Sequence, residues 1–190
     1  VAQRGTSSTS SGYQTCDRFL HQGSGWDEAL TITQHALTSS DTGPWEAGFR
    51  NSFHLQNGNQ SSGAGAADYV EILHTLEAQD MATSGWDYKS TSSKITFSFW
   101  VKASVTQTYY VYVQSIDGTG QIYTFSFALS ANTWTKVIHT LPGASNLDFD
   151  SNANAGLRIG WVPFYGTNYT DNSFTLNTWA AVNGSNQMPD

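Results

Sequence analysis

Aromatic side chains are the residues of this chain whose type and spacing could do chemistry. They make up 14% of the sequence, and charged residues make up only 12%. Several fall in or beside polar loops, and others fall on strand positions opposite the most apolar face. Sugars bind proteins by laying C–H faces on such rings, while amides and hydroxyls hydrogen-bond to the sugar hydroxyl groups. The pattern predicts a carbohydrate-binding surface formed by Trp26, Trp86, Trp100, Tyr110, Tyr112, Trp161 and Tyr165.

An alternative role for the same rings stays open. Each one could instead fill the end of a sheet or a contact between subunits, as large aromatic residues commonly do. The two interpretations predict different burial. Rings that bind sugar line an open groove, and rings that pack are covered.

The carboxylates do not predict a catalytic pair. Glycoside cleavage needs two carboxyl groups roughly 5–10 Å apart across a cleft. Asp148 and Asp150 could face one way, but they fall in a loop. Asp68 and Glu71 would face opposite sides of a strand. We therefore expect a protein that is not an enzyme.

A run of oxygen-bearing side chains is the weak candidate for a metal site. Asp148, Asp150 and Asn152 alternate along the chain as ligands do in calcium loops, without the glycine and distal glutamate of an EF-hand. A solvated loop with Asx turns is the other interpretation. The five histidines lack metal-ligand spacing. No other cofactor is predicted.

Composition excludes several classes of partner. The net charge is −7, whereas nucleic-acid binding needs clustered Lys and Arg. No apolar run approaches the length of a membrane span, so membrane insertion is not expected. Cys16 is the single cysteine, which excludes an internal disulfide framework.

The elements that must position these residues are strands. Residues 94–102 alternate apolar and polar side chains, which predicts a strand with one buried face. Similar runs occupy residues 108–116, 121–129 and 133–141, and each ends at turn-forming Gly, Asn or Pro. Further strands are predicted at residues 30–37, 49–55, 68–77, 157–164 and 174–182, with one helical turn within 79–85.

The spacing of these strands predicts the architecture. We expect an all-β fold with little helix, a jelly-roll β-sandwich of two antiparallel sheets with roughly eight strands. Residues 13–190 would form this single domain, and residues 1–12 a linker or an extended arm. The start at Val1 and the end without a closing strand are expected of a piece of a longer polypeptide.

Several short motifs follow one another in a fixed order along the chain. They are Asp17-Arg18-Phe19, Glu77-Ala78-Gln79-Asp80, Ser98-Phe99-Trp100-Val101-Lys102, Thr133-Trp134-Thr135-Lys136 with Pro142-Gly143, and Asn177-Thr178-Trp179. With these motifs, the chain resembles jelly-roll domains of tailed-phage tail fibres and other virion proteins, which are similar to carbohydrate-binding modules. The family commonly continues into a further strand with an aromatic-rich lead-in, whereas this chain ends earlier.

The resemblance implies a function and a setting. It implies a non-catalytic virion domain, on a tail fibre or similar appendage at the outer surface of the particle, that binds host cell-surface glycan. It also implies other virion proteins as partners and a homo-oligomer, a trimer. The alternative is a capsid or tail decoration module that cements the particle. Burial of Trp26, Trp86, Trp100 and Trp161 in the core or between subunits would favour cementing, and an open groove lined by two or more of them would favour glycan binding.

Overall fold

The fold is all-β and antiparallel, as predicted from the strand pattern. The computed structural model describes residues 4–184 and 187–190. Its strands are β1 (Ser7–Ser8), β2 (Gly12–Tyr13), β3 (Phe19–Ser24), β4 (Thr31–Ala36), β5 (Asn51–Gln56), β6 (Tyr69–Glu77), β7 (Lys94–Val101), β8 (Gln107–Ser115), β9 (Gln121–Leu129), β10 (Thr135–Pro142), β11 (Ala155–Tyr165) and β12 (Trp179–Ala181). One short helix, α1 (Ala78–Ala82), follows β6, and a 3₁₀ turn spans Thr167–Tyr169.

Three sheets form the two layers of the domain. A seven-stranded sheet has the order β12-β9-β8-β11-β6-β3-β2. A two-stranded sheet, β10-β7, and a three-stranded sheet, β1-β4-β5, lie over one of its faces. We call this covered side the inner face, and it carries Val111, Phe125 and Ile159. The opposite side, which carries Glu71, Tyr112 and Arg158, is the pocket face.

The main core lies between the inner face and the β7–β10 pair. Phe97 and Phe99 of β7 point into it, with Val137 and Leu141 of β10. This is the alternation predicted for residues 94–102, because the side-chain period of a strand is two. A fully buried large apolar side chain stabilises the fold by about 1.5–3 kcal/mol relative to an exposed one. Burial of this single face therefore fixes how the two layers pack.

A row of aromatic rings links the sheets across the inner face. Neighbouring ring centroids in the row are 5.6–6.1 Å apart, within the range of favourable edge-to-face and offset contacts. The row reaches from the three-stranded sheet to β9 and ends on β8. In order, its members are Phe53, Phe19, Trp161, Phe99, Phe127 and Tyr109.

Three antiparallel strand pairs are nested in the sequence. β8 pairs with β9, β7 pairs with β10 outside them, and β6 pairs with β11 outside those. Successive pairs alternate between the layers, as consecutive strands do when a long hairpin wraps around a core. The eight-strand jelly roll itself stays a prediction, because β7 and β10 pair only with each other.

Two predicted segments differ in detail from the described structure. The strand predicted over 174–182 is reduced to β12. Asp171 accepts hydrogen bonds from the Ser173 amide and hydroxyl, and Asn177 takes a φ of 61°, so the chain turns twice before it extends. In the predicted arm, Ser7 and Ser8 pair with β4. No helix among residues 4–184 and 187–190 is long and apolar enough to span a bilayer.

Candidate functional site

A polar depression on the pocket face is the candidate site. It has a volume of about 300 Å³ and is open to solvent. Its walls combine four phenol rings, three amides, one carboxylate and one guanidinium. We call it the Glu71 pocket, and its lining residues are Gln22, Tyr69, Glu71, Tyr112, Gln114, Arg158, Tyr165, Tyr169 and Gln187.

Strand register brings these residues together. Gln22 of β3 lies directly opposite Glu71 of β6, and Gln114 of β8 lies opposite Arg158 of β11. Side chains on one face of a sheet are separated by two residues along a strand and by one strand across it. The pocket floor therefore comes from four adjacent strands, β3, β6, β11 and β8.

Gly160 makes room for one wall of the pocket. It lies opposite Tyr112, and a Cβ atom at this position would overlap the Tyr112 ring. With hydrogen there instead, the ring can lie across β11 toward β6. The Tyr112 hydroxyl then reaches the Glu71 carboxylate, 2.7 Å from its Oε2 atom.

A bulge in β11 places Tyr165 on the same face. The register shifts between Trp161 and Phe164, so that Tyr165 pairs with Tyr69. Regular alternation from Trp161 would have put Tyr165 on the inner face, because one residue of slip reverses every later side chain. The bulge instead directs the Tyr165 hydroxyl to Glu71, 2.6 Å from Oε2.

Glu71 is the buried centre of this hydrogen-bond network. Its side chain accepts from the hydroxyls of Tyr112 and Tyr165 at Oε2 and from Gln22 Nε2 at Oε1, although the residue is only 6% exposed. Three donors compensate for removing the carboxylate from water. Glu71 therefore holds the two phenols in place and has little capacity left for a ligand.

The two phenols are held in their neutral form. Burial raises the pKa of Tyr112, and the neighbouring Glu71 carboxylate raises it further. Burial also raises the pKa of Tyr165. Both hydroxyl groups therefore stay protonated and donate to Glu71.

The open rim of the pocket is aromatic. Tyr69 and Tyr169 are partly exposed, and their ring centroids lie 5.3 Å apart. Each also contacts the buried ring of Tyr165, at 6.4 Å and 5.3 Å. Such packing fixes the ring planes, so the rim offers a preformed apolar surface beside polar groups.

The C-terminal segment forms one side of the pocket. The Gln187 carbonyl accepts a hydrogen bond from the Thr124 hydroxyl at 2.7 Å, and the Gln187 amide N–H donates to the Tyr169 carbonyl at 3.1 Å. The side chain of Gln187 lies 3.1 Å from the Tyr165 hydroxyl. Together these bonds fix an amide at the pocket wall.

The structure divides the seven predicted carbohydrate-binding residues. Tyr112 and Tyr165 line the Glu71 pocket, although both are mostly buried. Tyr110 lies on the pocket face beside them, two residues from Tyr112 along β8, and is partly exposed. These three tyrosines are the part of the set that the fold brings together.

The four tryptophans of the predicted set lie elsewhere. Trp86 is 6% exposed in the main core, and Trp161 belongs to the aromatic row of the inner face. The ring of Trp100 lies against Gly43, and that of Trp26 lies against Gly23. Neither the Glu71 pocket nor a second depression around Phe174 and Thr178 is lined by these four indoles.

The calcium candidates have other contacts. Asp148 pairs with Lys89 at 3.0 Å. Asn152 donates to Asp150 and accepts from the Asn154 amide, which are the hydrogen bonds of a loop with Asx turns. Among the residues that the structure describes, no group of three acidic, His or Cys side chains could hold a metal ion.

Sequence reasoning missed the charged residues of the pocket. From the sequence, Glu71 is a candidate only for a catalytic pair, and Arg158 has no predicted role. The available signal was their position in the sequence. Each lies within a strand that has neighbouring strands on both sides, where a charged residue is rarely buried unless it is paired. Gln22, Gln114 and Gln187 carry no comparable signal.

Family models, curated proteins and solved structures were compared with this chain, and none matches it.

Proposed function

We propose that this chain is a non-catalytic carbohydrate-binding domain and that the Glu71 pocket is its sugar site. The observation that carries the proposal is the composition of the pocket, in which phenol rings and side-chain amides surround an open depression of about 300 Å³. Sugar sites need an apolar ring surface with a few fixed polar groups. This volume lies at the lower end of the range for small-molecule sites.

Each part of the pocket has a distinct task in this proposal. The exposed faces of Tyr69 and Tyr169 receive the C–H face of a sugar ring. The amides of Gln114 and Gln187 donate to and accept from its hydroxyl groups. Glu71 acts indirectly, because its hydrogen bonds hold the phenols that shape the floor.

The proposal is for binding rather than cleavage because of the role of the carboxylate. Glycoside hydrolysis uses two carboxyl groups that flank the scissile bond. Among the described lining residues, Glu71 is the only carboxylate, and its oxygen atoms already accept three hydrogen bonds.

The setting follows from the sequence resemblance and belongs to the proposal. We place the domain on a phage tail fibre or similar appendage, where it would bind glycan on the host surface. Affinity at a single small site would be weak. Symmetric copies in a trimer would raise the effective concentration and could multiply avidity by about 10²–10⁴.

A glycan array followed by calorimetry tests the proposed function. The chain should bind at least one host-surface glycan with a dissociation constant below the millimolar range. Tyr169→Ala should weaken binding at least tenfold, about 1.4 kcal/mol, because it removes an exposed ring face of the rim. Tyr13→Ala is the matched control, since Tyr13 is 42% exposed and lies outside the pocket.

Two results would contradict the proposal. One is the absence of binding to every host glycan at high micromolar concentrations of the oligomer. The other is an equal loss of affinity in Tyr13→Ala and Tyr169→Ala, which would mean that the glycan does not bind in the Glu71 pocket.

A structural decoration module is the second candidate function. It is favoured by the tryptophans, because Trp86 and Trp161 pack in the core and Trp26 and Trp100 lie against glycines of the chain itself. The outer surface of the β7–β10 pair also exposes Ile138 to 62%. If the purified chain attaches to particles that lack it and binds no sugar, the result would support this function over the first.

A further inference from the structure

Arg158 has a buried donor without a partner. The guanidinium lines the Glu71 pocket, and its Nε atom is buried. Among residues 4–184 and 187–190, no hydrogen-bond acceptor or carboxylate contacts that atom. A guanidinium carries five N–H donors and no acceptor, so this buried donor can be satisfied only by an oxygen atom from outside these residues.

An unpaired buried donor is unusual enough to need an explanation. More than about 90% of buried polar groups in proteins have a hydrogen-bond partner. Leaving one unpaired destabilises a fold by about 1–3 kcal/mol, and by more when the group is charged. The desolvation of the Arg158 Nε–H group is therefore not compensated by any described residue.

Glu71 does not serve as this partner. Its oxygen atoms accept from Gln22, Tyr112 and Tyr165, and no ion pair joins it to Arg158. Arg158 lies opposite Thr75, four residues along β6 from Glu71. At about 3.4 Å per residue and 4.8 Å per strand, the two Cα atoms are about 14 Å apart. Both charged groups therefore line one pocket without forming an ion pair with each other.

The overall charge of this chain does not attract anions. The net charge of −7 repels anions at long range. An anion would bind only where a particular cation meets it in a fixed geometry. Arg158 supplies this geometry, because the guanidinium fork matches a pair of anionic oxygen atoms.

We propose that the Glu71 pocket selects an acidic sugar and that Arg158 binds its anionic group. The anionic oxygen pair belongs to a sugar carboxylate or a sugar sulfate, and both present the same fork to the guanidinium. Gln114, which lies opposite Arg158, would bind an adjacent hydroxyl group. This inference rests on the proposed function and narrows it from glycans in general to acidic glycans.

Calorimetry with matched sugars tests the selectivity. The first ligand is an oligosaccharide of uronic acids, and the second is the same oligosaccharide after reduction of its carboxyl groups to neutral hexose. The third is a sulfated neutral oligosaccharide of equal length. The chain should bind at least one acidic ligand ten or more times more tightly than the neutral one. Comparison of the two acidic ligands then shows whether the pocket prefers a carboxylate or a sulfate.

Variants at Arg158 separate selectivity from binding. Arg158→Gln should lose the preference and bind the acidic and neutral ligands within about twofold of each other, while Arg158→Lys should keep part of it as a point charge. Arg4→Gln is the control, because it removes the same charge from an exposed position outside the pocket. It should leave the preference unchanged.

Stability provides an independent readout. Arg158→Gln should unfold at an equal or higher urea concentration, because it removes a buried Nε–H donor that has no partner among the described residues. A clear decrease would mean that Arg158 has a structural partner, and it would count against the inference.

The outcomes distinguish this inference from the proposed function. Equal binding of acidic and neutral ligands, with Tyr169→Ala still weakening both, would overturn acid selectivity and leave the sugar site in place. A preference that persists in Arg158→Gln would overturn the role of Arg158. If the chain binds none of the three ligands and also no glycan on the array, both the inference and the proposed function are overturned.

Discussion

Removing the two buried hydroxyls of the Glu71 pocket should destabilise the fold by more than the sum of the separate effects. Tyr112 and Tyr165 donate to the same atom, Glu71 Oε2, at 2.7 Å and 2.6 Å. A hydrogen bond to a charged group contributes about 1.5–3 kcal/mol, so Tyr112→Phe and Tyr165→Phe should each lower the free energy of unfolding by about 2 kcal/mol. After either change, Oε2 still has one donor.

The double variant leaves Oε2 without either phenol donor in a site that is only 6% exposed. The desolvation of an unpaired buried oxygen adds about 1–3 kcal/mol, so the double variant should lose about 5 kcal/mol or more. The coupling energy in the double-mutant cycle should therefore reach at least about 1 kcal/mol. A simple sum would be about 4 kcal/mol.

Urea unfolding followed by tryptophan fluorescence measures this cycle, provided that the m-values of the four proteins agree. Tyr13→Phe is the matched control, because that hydroxyl is exposed and its loss should change stability by less than about 0.5 kcal/mol. Single effects as small as the control, or strictly additive effects, would refute the view that Glu71 is held by these phenols.

Three further predictions concern pH and one loop. Burial raises the pKa of Tyr112 and Tyr165, so the contribution of these residues to stability should be complete below their ordinary pKa of 10.0 and decline as pH rises above it. In an absorbance titration, these two tyrosines should ionise only when the chain unfolds. Burial lowers the pKa of His21, whose ring nitrogens have no partner among the described residues. Unfolded chains then take up the proton first, so stability should be complete above the ordinary value of 6.5 and fall below it, and His21→Leu should flatten this decline in urea melts. A decline that is equally steep in His21→Leu would contradict the assignment to this residue. Asp41 accepts hydrogen bonds from the Trp134 indole, the Thr38 amide and Lys102, which together hold the pKa of its carboxyl group well below its usual range. Asp41→Asn should therefore increase hydrogen exchange across residues 38–50, whereas unchanged exchange would show that other contacts hold this loop.

The sequence predicted the strands well where one face is buried. The strand predicted over 121–129 is β9, and the alternation over 94–102 gives the inward face of β7. Period-two alternation is a local property, so the residues of one strand are enough to reveal it. The sequence also predicted a binding role for three tyrosines and four tryptophans. The tyrosines lie on the pocket face, and the tryptophans lie elsewhere in the fold.

The pocket could not be predicted in this way, because its parts meet only through register. Glu71 is separated from Gln22, Tyr112 and Tyr165 by 49, 41 and 94 residues. Tyr165 reaches the pocket face because of a bulge in β11, and Tyr112 reaches Glu71 because Gly160 leaves space. Neither feature changes the local hydrophobic pattern.

The amino-acid sequence by itself determined the class of fold, the strands and the abundance of aromatic and amide groups, because each depends on composition or on neighbours along the chain. The tertiary structure decided which rings are covered, which carboxylate accepts hydrogen bonds from neighbouring side chains and which guanidinium has a buried donor without a partner among the described residues. These depend on the pairing of distant strands, where a shift of one residue moves a side chain to the opposite face of the sheet.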